Sequence, residues 1–121
     1  MPRIMVVGDD SDFCYLMQRY VKEGAYRLLR GYPHQQILRM AEHEQPAVII
    51  LEGDLPRAQG WQLLHELKGD PHTSAIPVIL CSWSDNLEQG LAAGADLYLR
   101  KPVLYEQFLS ALRDLGVPSR T

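Results

Sequence analysis

Short apolar runs alternate along the chain with longer segments in which apolar residues recur every three or four positions. The short runs predict β-strands, and their lengths are typical of strands in globular proteins. The five runs are Ile4–Val7, Tyr26–Leu29, Ala47–Leu51, Val78–Cys81 and Leu97–Leu99. The third run is apolar at every position, which is typical of a strand that is buried on both faces.

The longer segments have the periodicity of amphipathic helices. The first helix is predicted from Ser11 to about Lys22, and Pro33 suits the first turn of the second. Gly69-Asp70-Pro71 ends the third, and Asp85 with Glu88 has the spacing of a capping box for a short fourth. Ile37, Met40 and Ala41 are expected to face the core. The other apolar residues that define the helices are Phe13, Leu16, Met17, Tyr20, Val21, Trp61, Leu64, Leu67, Leu87, Leu91, Leu104, Phe108, Leu112 and Leu115.

The predicted order is a strand followed by a helix, repeated five times. This order favours an α/β architecture in which helices cover both faces of a parallel sheet. In such sheets, functional residues gather at the carboxyl ends of the strands. Those ends carry Gly8-Asp9-Asp10, Glu52-Gly53-Asp54, Ser82-Trp83 and Lys101-Pro102. Each motif taken alone is more often a helix cap or a turn, so only their combination points to a function.

Composition narrows the class of protein. The 121 residues suit one domain, and 46% hydrophobic with 22% charged residues is typical of a globular chain. A net charge of −3 without a basic stripe argues against direct nucleic-acid binding. Cys14 and Cys81 lack metal-ligand spacing and are expected to be small buried hydrophobes. No segment is typical of a signal peptide or a membrane span, so we expect a cytoplasmic protein without membrane contact.

In this order, the strand-end motifs resemble the receiver domains of two-component response regulators. The matching pieces are Ile4–Asp10, Glu52–Pro56, Ile76–Ile79, Gly94–Asp96 and Tyr98–Pro102. The resemblance implies a CheY-like, flavodoxin-like (βα)5 three-layer sandwich with strand order 2-1-3-4-5. It implies a single receiver domain over 1–121, with a core at about 3–117, that acts in signalling and is not an enzyme. Whether an output domain follows residue 121 stays open.

The resemblance also implies a phosphoryl-accepting site with five parts. In the family, an aspartate at the end of the third strand takes a phosphoryl group from a histidine kinase, and acidic residues after the first strand hold Mg²⁺. A Thr or Ser after the fourth strand and a lysine after the fifth contact the phosphoryl group, and an aromatic residue in the fifth strand changes position. The matching positions here are Glu52 for the phosphoacceptor, Gly8, Asp9 and Asp10 for the acidic residues, Ser82, Lys101 and Tyr98.

Two carboxylate positions differ from this pattern. Glu52 reaches about 1.5 Å further than an aspartate, and a misplacement of about 1 Å can slow a reaction roughly 100-fold. We therefore expect Glu52 to be a poor phosphoacceptor, and Asp54 to point away from the site. Gly8 removes an acidic group, which leaves Asp9, Asp10, Glu52 and Asp54 for a metal. The cofactor prediction is accordingly none, or weakly held Mg²⁺.

The positive charge of Lys101 has an evident partner in Glu52. Their pair either imitates the phosphorylated state or fills a disused site, and the second alternative is favoured because one charge replaces the roughly two of a phosphate. Trp83 follows Ser82 where the family usually has a small residue, so it is expected to cover the site or pack beside it. The resemblance further implies a cis Lys101-Pro102 peptide.

Three functions compete. The first is a non-enzymatic module that binds a protein partner without phosphorylation control, the partner being a histidine kinase or a downstream signalling protein, with a homodimer left open. The second is a conventional phosphorelay receiver that is phosphorylated at Glu52 or Asp54. The third is a flavin- or nucleotide-binding protein, which the acidic segment from Gly8 to Asp12 disfavours because it would repel phosphate.

Overall fold

A computed structural model describes residues 1–33 and 35–118 of the chain. Its centre is a sheet of five parallel strands in the order β2-β1-β3-β4-β5, which confirms the predicted order. The strands are β1 Arg3–Val7, β2 Arg27–Gly31, β3 Val48–Glu52, β4 Val78–Ser82 and β5 Leu97–Arg100. Residues 119–121 lie outside the described residues. They belong to the C-terminal tail, and whether an output domain follows that tail stays open.

Helices cover both faces of the sheet. They are α1 Ser11–Glu23, α2 Ile37–Glu44, α3 Gln59–Gly69, α4 Leu87–Ala92 and α5 Tyr105–Asp114, with a short 3₁₀ turn at Pro56–Ala58 before α3. Alternate residues of β1 face opposite layers, as the two-residue period of a strand requires. Ile4 and Val6 belong to the core shared with α1 and α5. Met5 and Val7 belong to the core shared with α2 and α3.

The predicted starts of α2 and β2 were wrong. Pro33 does not open α2, which begins at Ile37, because the chain first makes a turn in which the Gln35 amide donates to the Tyr32 carbonyl. β2 begins at Arg27, one residue after the predicted Tyr26. These differences shift the elements by a few residues and leave the topology unchanged.

The capping box predicted for the fourth helix is absent. Asn86 is the N-cap of α4, and no side chain caps the helix. The Asn86 amide donates to the hydroxyl of Tyr98, at 3.3 Å, so a residue of β5 contacts the start of α4.

Cys14 and Cys81 are free and buried, as the sequence pattern around them predicted. Burial raises the pKa of the Cys81 thiol to about 12, so this thiol stays protonated and packs as a hydrophobe. Among the described residues, no helix is long and apolar enough to cross a bilayer.

The connection from β3 to α3 determines where the site residues lie. Arg57 and Ala58 both have a φ of 57°, a left-handed conformation that turns the chain back over the end of β3. Gly60 then approaches so closely that a Cβ there would lie 2.3 Å from the Glu52 carbonyl oxygen. Only glycine permits this contact, which holds the segment from Gly53 to Leu55 over the strand ends.

Candidate functional site

Glu52 and Lys101 form a buried ion pair at the carboxyl ends of β3 and β5. The Lys101 ammonium donates to Glu52 Oε2 at 2.6 Å, and each side chain is only 2% exposed. Glu52 Oε1 accepts hydrogen bonds from the backbone amides of Asp9 and Asp10, at 3.0 and 3.2 Å. Both carboxylate oxygens of Glu52 are therefore engaged, which burial of a charge requires.

Gly8 makes room for this carboxylate. A Cβ at position 8 would lie 2.8 Å from Glu52 Oε1 and 3.0 Å from Glu52 Cβ. The side chain of Glu52 therefore occupies the space that a side chain at position 8 would fill. Any other residue at Gly8 would push Glu52 away from the amides that hold it, so the two unusual positions depend on each other.

Arg30 holds the backbone beneath Gly8 and was not identified from the sequence. Its guanidinium donates to the carbonyl oxygens of Gly8 at 2.7 Å and Val6 at 3.1 Å, and to the sulfur of Cys14 at 3.0 Å. It also donates to the Gly31 carbonyl. In the sequence, Arg30 directly follows the apolar run that ends at Leu29, and nothing there distinguishes it from an exposed arginine.

Asp54 points into the site, so the prediction that it points away was wrong. Its Oδ1 accepts a hydrogen bond from the Ser82 hydroxyl at 2.5 Å, and its Oδ2 accepts one from the Trp83 amide at 3.0 Å. Lys101 Nζ lies 3.1 Å from the same Oδ2. The turn at Arg57 and Ala58 brings the segment within reach of these three donors, and their combined attraction orients the carboxylate.

Lys101 therefore lies between two carboxylates. Burial alone would lower the pKa of the Lys101 ammonium. Hydrogen bonds to Glu52 and Asp54, together with the negative charges of both, outweigh this effect and raise the pKa above its ordinary value. Burial likewise acts to raise the pKa of Asp54, but the bonds from Ser82, the Trp83 amide and Lys101 lower it. Both shifts favour the charged forms of Lys101 and Asp54 at neutral pH. The Lys101-Pro102 peptide is cis.

Hydroxyl groups connect this cluster to β5 and the start of α4. Ser82 Oγ lies 2.8 Å from Ser84 Oγ, and the Tyr98 hydroxyl donates to the Ser84 carbonyl at 2.6 Å. The half-buried Tyr98 ring packs against α4, where a Cβ at Gly90 would lie 2.6 Å from it. Ser82, predicted to contact the phosphoryl group, is bonded to Asp54 and not to Glu52.

Trp83 forms a wall beside the site. The residue is 57% exposed, and its ring centre lies 5.9 Å from Lys101 Nζ. With Phe13, Leu16 and Val103, among others, it lines an open cavity of about 140 Å³. Trp83 thus packs next to the ion-pair cluster and leaves its outer side in contact with solvent.

The side chains of the predicted metal ligands contact other groups of the chain or lie at the edge of the site. Glu52 and Asp54 direct their oxygens to Lys101 and to hydrogen-bond donors, and Asp10 caps α1 by accepting bonds from the amides of Asp12 and Phe13. Asp9 is exposed at the edge. Within residues 1–33 and 35–118, no group of three His, Cys, Asp or Glu side chains is arranged to hold a metal.

Comparison with known sequences identifies relatives over nearly the whole chain. The family described as "Response regulator receiver domain" matches residues 4–113. Protein PilH of Pseudomonas aeruginosa is 30% identical over 115 residues, which are 93% of this chain and 95% of PilH. The DNA-binding dual master transcriptional regulator RpaA of a Synechocystis strain is 30% identical over 118 residues, 95% of this chain. The chain covers 49% of RpaA, so it spans about half the length of that protein.

Solved structures show the same fold. A CheY-like response regulator receiver domain protein from Methanospirillum hungatei superposes with a TM-score of 0.82, over 96% of this chain and 94% of its own. The two sequences are 23% identical, so this similarity concerns the fold alone.

Proposed function

The chain belongs to the response regulator receiver domain family, which acts in two-component signalling, and from this premise we propose that it signals without being phosphorylated itself. The observation that carries the proposal is the position of the Glu52 side chain. Glu52 ends β3, where the family has its phosphoacceptor, yet its carboxylate is buried against Lys101 and two backbone amides. At the first acidic position of the family, this chain has Gly8. The Glu52 carboxylate occupies the space that a side chain at position 8 would fill.

Phosphoryl transfer needs an accessible nucleophile, in line with the donor and close to a metal ion that neutralises the developing charge. Glu52 is 2% exposed, and an attack by either of its oxygens would first break hydrogen bonds to charged or backbone donors. Such bonds contribute about 1.5–3 kcal/mol each when one partner is charged. This supports the interpretation that the Glu52–Lys101 pair fills the place of a phosphorylation site.

Asp54 supports a second candidate function, a conventional receiver phosphorylated at this residue. Its side chain is 27% exposed, in contrast to 2% for Glu52, and it lies on the solvent side of Lys101. We rank this function lower because both Asp54 oxygens are engaged, and because no cluster of three His, Cys, Asp or Glu side chains within the described part of the chain is arranged to hold a metal.

The proposed partner is another protein of the signalling system, either a histidine kinase or a downstream component, and the domain is proposed to act as a binding module in the cytoplasm. The full activity of RpaA, including DNA binding, belongs to a protein twice as long and is not attributed to this chain.

Incubation with acetyl phosphate and Mg²⁺, followed by intact-mass measurement, tests the proposal. We expect no phosphoryl adduct on the wild-type chain at neutral pH. The Glu52→Gln and Asp54→Asn variants are treated in parallel. A stoichiometric adduct that is lost only in Glu52→Gln would overturn the proposal, and one lost only in Asp54→Asn would establish the second candidate.

A further inference from the structure

Three hydrogen-bond donors from different segments converge on Asp54. They are the hydroxyl of Ser82 at the end of β4, the amide of Trp83 in the following loop, and the ammonium of Lys101 after β5. A hydroxyl, an amide and a buried cation aimed at one point form a binding site for an oxyanion. We call these three groups the anion cradle.

We infer that the anion cradle is a carboxylate-binding site which the chain occupies with its own Asp54, and that this internal ligand fixes the β4–α4 loop and Tyr98. The inference deepens the proposed function and rests on it, because a permanently occupied cradle explains how the domain holds one conformation without a phosphoryl group. Asp54 acts here as a positioning residue.

The path from Asp54 to Tyr98 is continuous. Asp54 orients the Ser82 hydroxyl, which accepts a hydrogen bond from the Ser84 amide at 3.1 Å and lies 2.8 Å from the Ser84 hydroxyl. The Ser84 carbonyl in turn accepts the Tyr98 hydroxyl, to which the Asn86 amide donates. Removal of the carboxylate would free Ser82 and Trp83 together and release the loop that holds Tyr98.

Glu52 is excluded as the ligand of the cradle. Its oxygens bind Lys101 and the amides of Asp9 and Asp10, whereas the Ser82 hydroxyl and the Trp83 amide donate to Asp54. The two carboxylates therefore have separate roles, and Asp54 is the one connected to β5.

Amide hydrogen exchange measured by NMR tests the inference with the full chain. In Asp54→Ala, the amide of Trp83 loses its acceptor, and those of Ser84 and Asn86 lose the support of the hydroxyl path. We expect exchange at all three to accelerate about tenfold or more, the factor that corresponds to loss of one charged hydrogen bond. The matched control is Asp96→Ala, since Asp96 also accepts a backbone amide, that of Val78, and pairs with Lys68 at the opposite end of β4. It should leave Trp83, Ser84 and Asn86 unchanged.

Addition of sodium acetate to Asp54→Ala provides the second arm. Acetate should restore slow exchange at Trp83, Ser84 and Asn86 in a saturable manner, whereas sodium chloride at equal ionic strength should not, and the wild type should respond to neither. The amide of Ile50 in β3 reports global unfolding. If it also accelerates in Asp54→Ala, exchange without acetate is compared between the wild type and Asp54→Asn, whose neutral side chain keeps the volume of Asp54, and exchange at Trp83, Ser84 and Asn86 should still accelerate more than exchange at Ile50.

Unchanged exchange at Trp83 and Asn86 in the variant would overturn the inference. Accelerated exchange that acetate restores no better than chloride would also overturn it, because Asp54 would then act through the loop backbone and not as a ligand. These measurements use no phosphodonor. A phosphorylated Glu52 would thus contradict the proposed function without altering the exchange result.

Discussion

Glu52 and Asp54 contact the same lysine, but the chain holds them in different ways. Glu52 is 2% exposed and fits a space that Gly8 leaves empty, between strands of the sheet. Asp54 is 27% exposed and is held by directional hydrogen bonds from a loop and a strand end. The first carboxylate belongs to the core, whereas the second belongs to the surface.

This difference separates stability from conformational control. A substitution of a group packed in the core destabilises the whole fold, because close-packed interiors tolerate few changes in volume. A group held by hydrogen bonds near the surface can change its local structure while the core stays intact. The Glu52 side of Lys101 should therefore determine global stability, and the Asp54 side should determine the state of the β4–α4 loop.

The largest expected effect comes from removing the charge that both sides share. Lys101→Met leaves the buried Glu52 carboxylate without its counter-ion, and loss of one partner of a buried pair typically costs about 3–5 kcal/mol. We expect the free energy of unfolding, measured in urea, to fall by that amount. Arg19→Met is the control, because Arg19 pairs with Glu23 at the surface and should contribute less than about 0.5 kcal/mol. Equal losses in the two variants would contradict a buried, coupled site.

Gly8→Ala tests the steric half of the comparison. The added methyl would lie 2.8 Å from Glu52 Oε1, and overpacking of this kind costs about 1–3 kcal/mol. In a Glu52→Asp background the carboxylate is one methylene shorter, so the same substitution should cost less, with a coupling free energy of about 1 kcal/mol. Gly69→Ala serves as the control, since nothing lies within 4 Å of a Cβ there. Additive losses at Gly8 and Glu52 would show that the two positions are independent.

Asp54→Asn should have the smallest effect on stability, about 1–2 kcal/mol at neutral pH. The pKa of Asp54 is lowered in the folded state, so its contribution is present above the unfolded pKa and is lost as pH falls through the folded value. The difference in unfolding free energy between wild type and variant should therefore be constant above about pH 5 and shrink below about pH 4. Glu23→Gln should show a difference below about 0.5 kcal/mol throughout. A difference that grows on acidification would reverse the assigned sign.

The sequence predicted the fold and the pairing partners because both depend on order along the chain. Five strands that alternate with helices place β3 and β5 ends at one edge of the sheet, which brings Glu52 near Lys101 although 49 positions separate them. Residue type was sufficient for this step, since a buried carboxylate and a buried ammonium at one edge have strong reason to pair.

The direction of Asp54 could not be predicted in the same way. It depends on left-handed backbone at Arg57 and Ala58, residue types that rarely adopt that conformation, and on the close approach of Gly60 to β3. The role of Gly8 was also hidden. The sequence shows the loss of an acidic residue, but the fit of Glu52 into that space depends on the register of β1 against β3, which pairs Val7 with Leu51.

Titration of the wild-type chain with Mg²⁺ and beryllofluoride, followed by NMR, tests the central claim that Glu52 closes the phosphorylation site. We predict no saturable shift of the amide signals of Asp9, Asp10, Gly53 and Trp83, whereas a Gly8→Asp/Glu52→Asp variant, which reopens the space and restores the acidic pair, should respond. Saturable binding by the wild type, with shifts at these amides, would show that the site remains open to metal and phosphoryl group and would contradict the account.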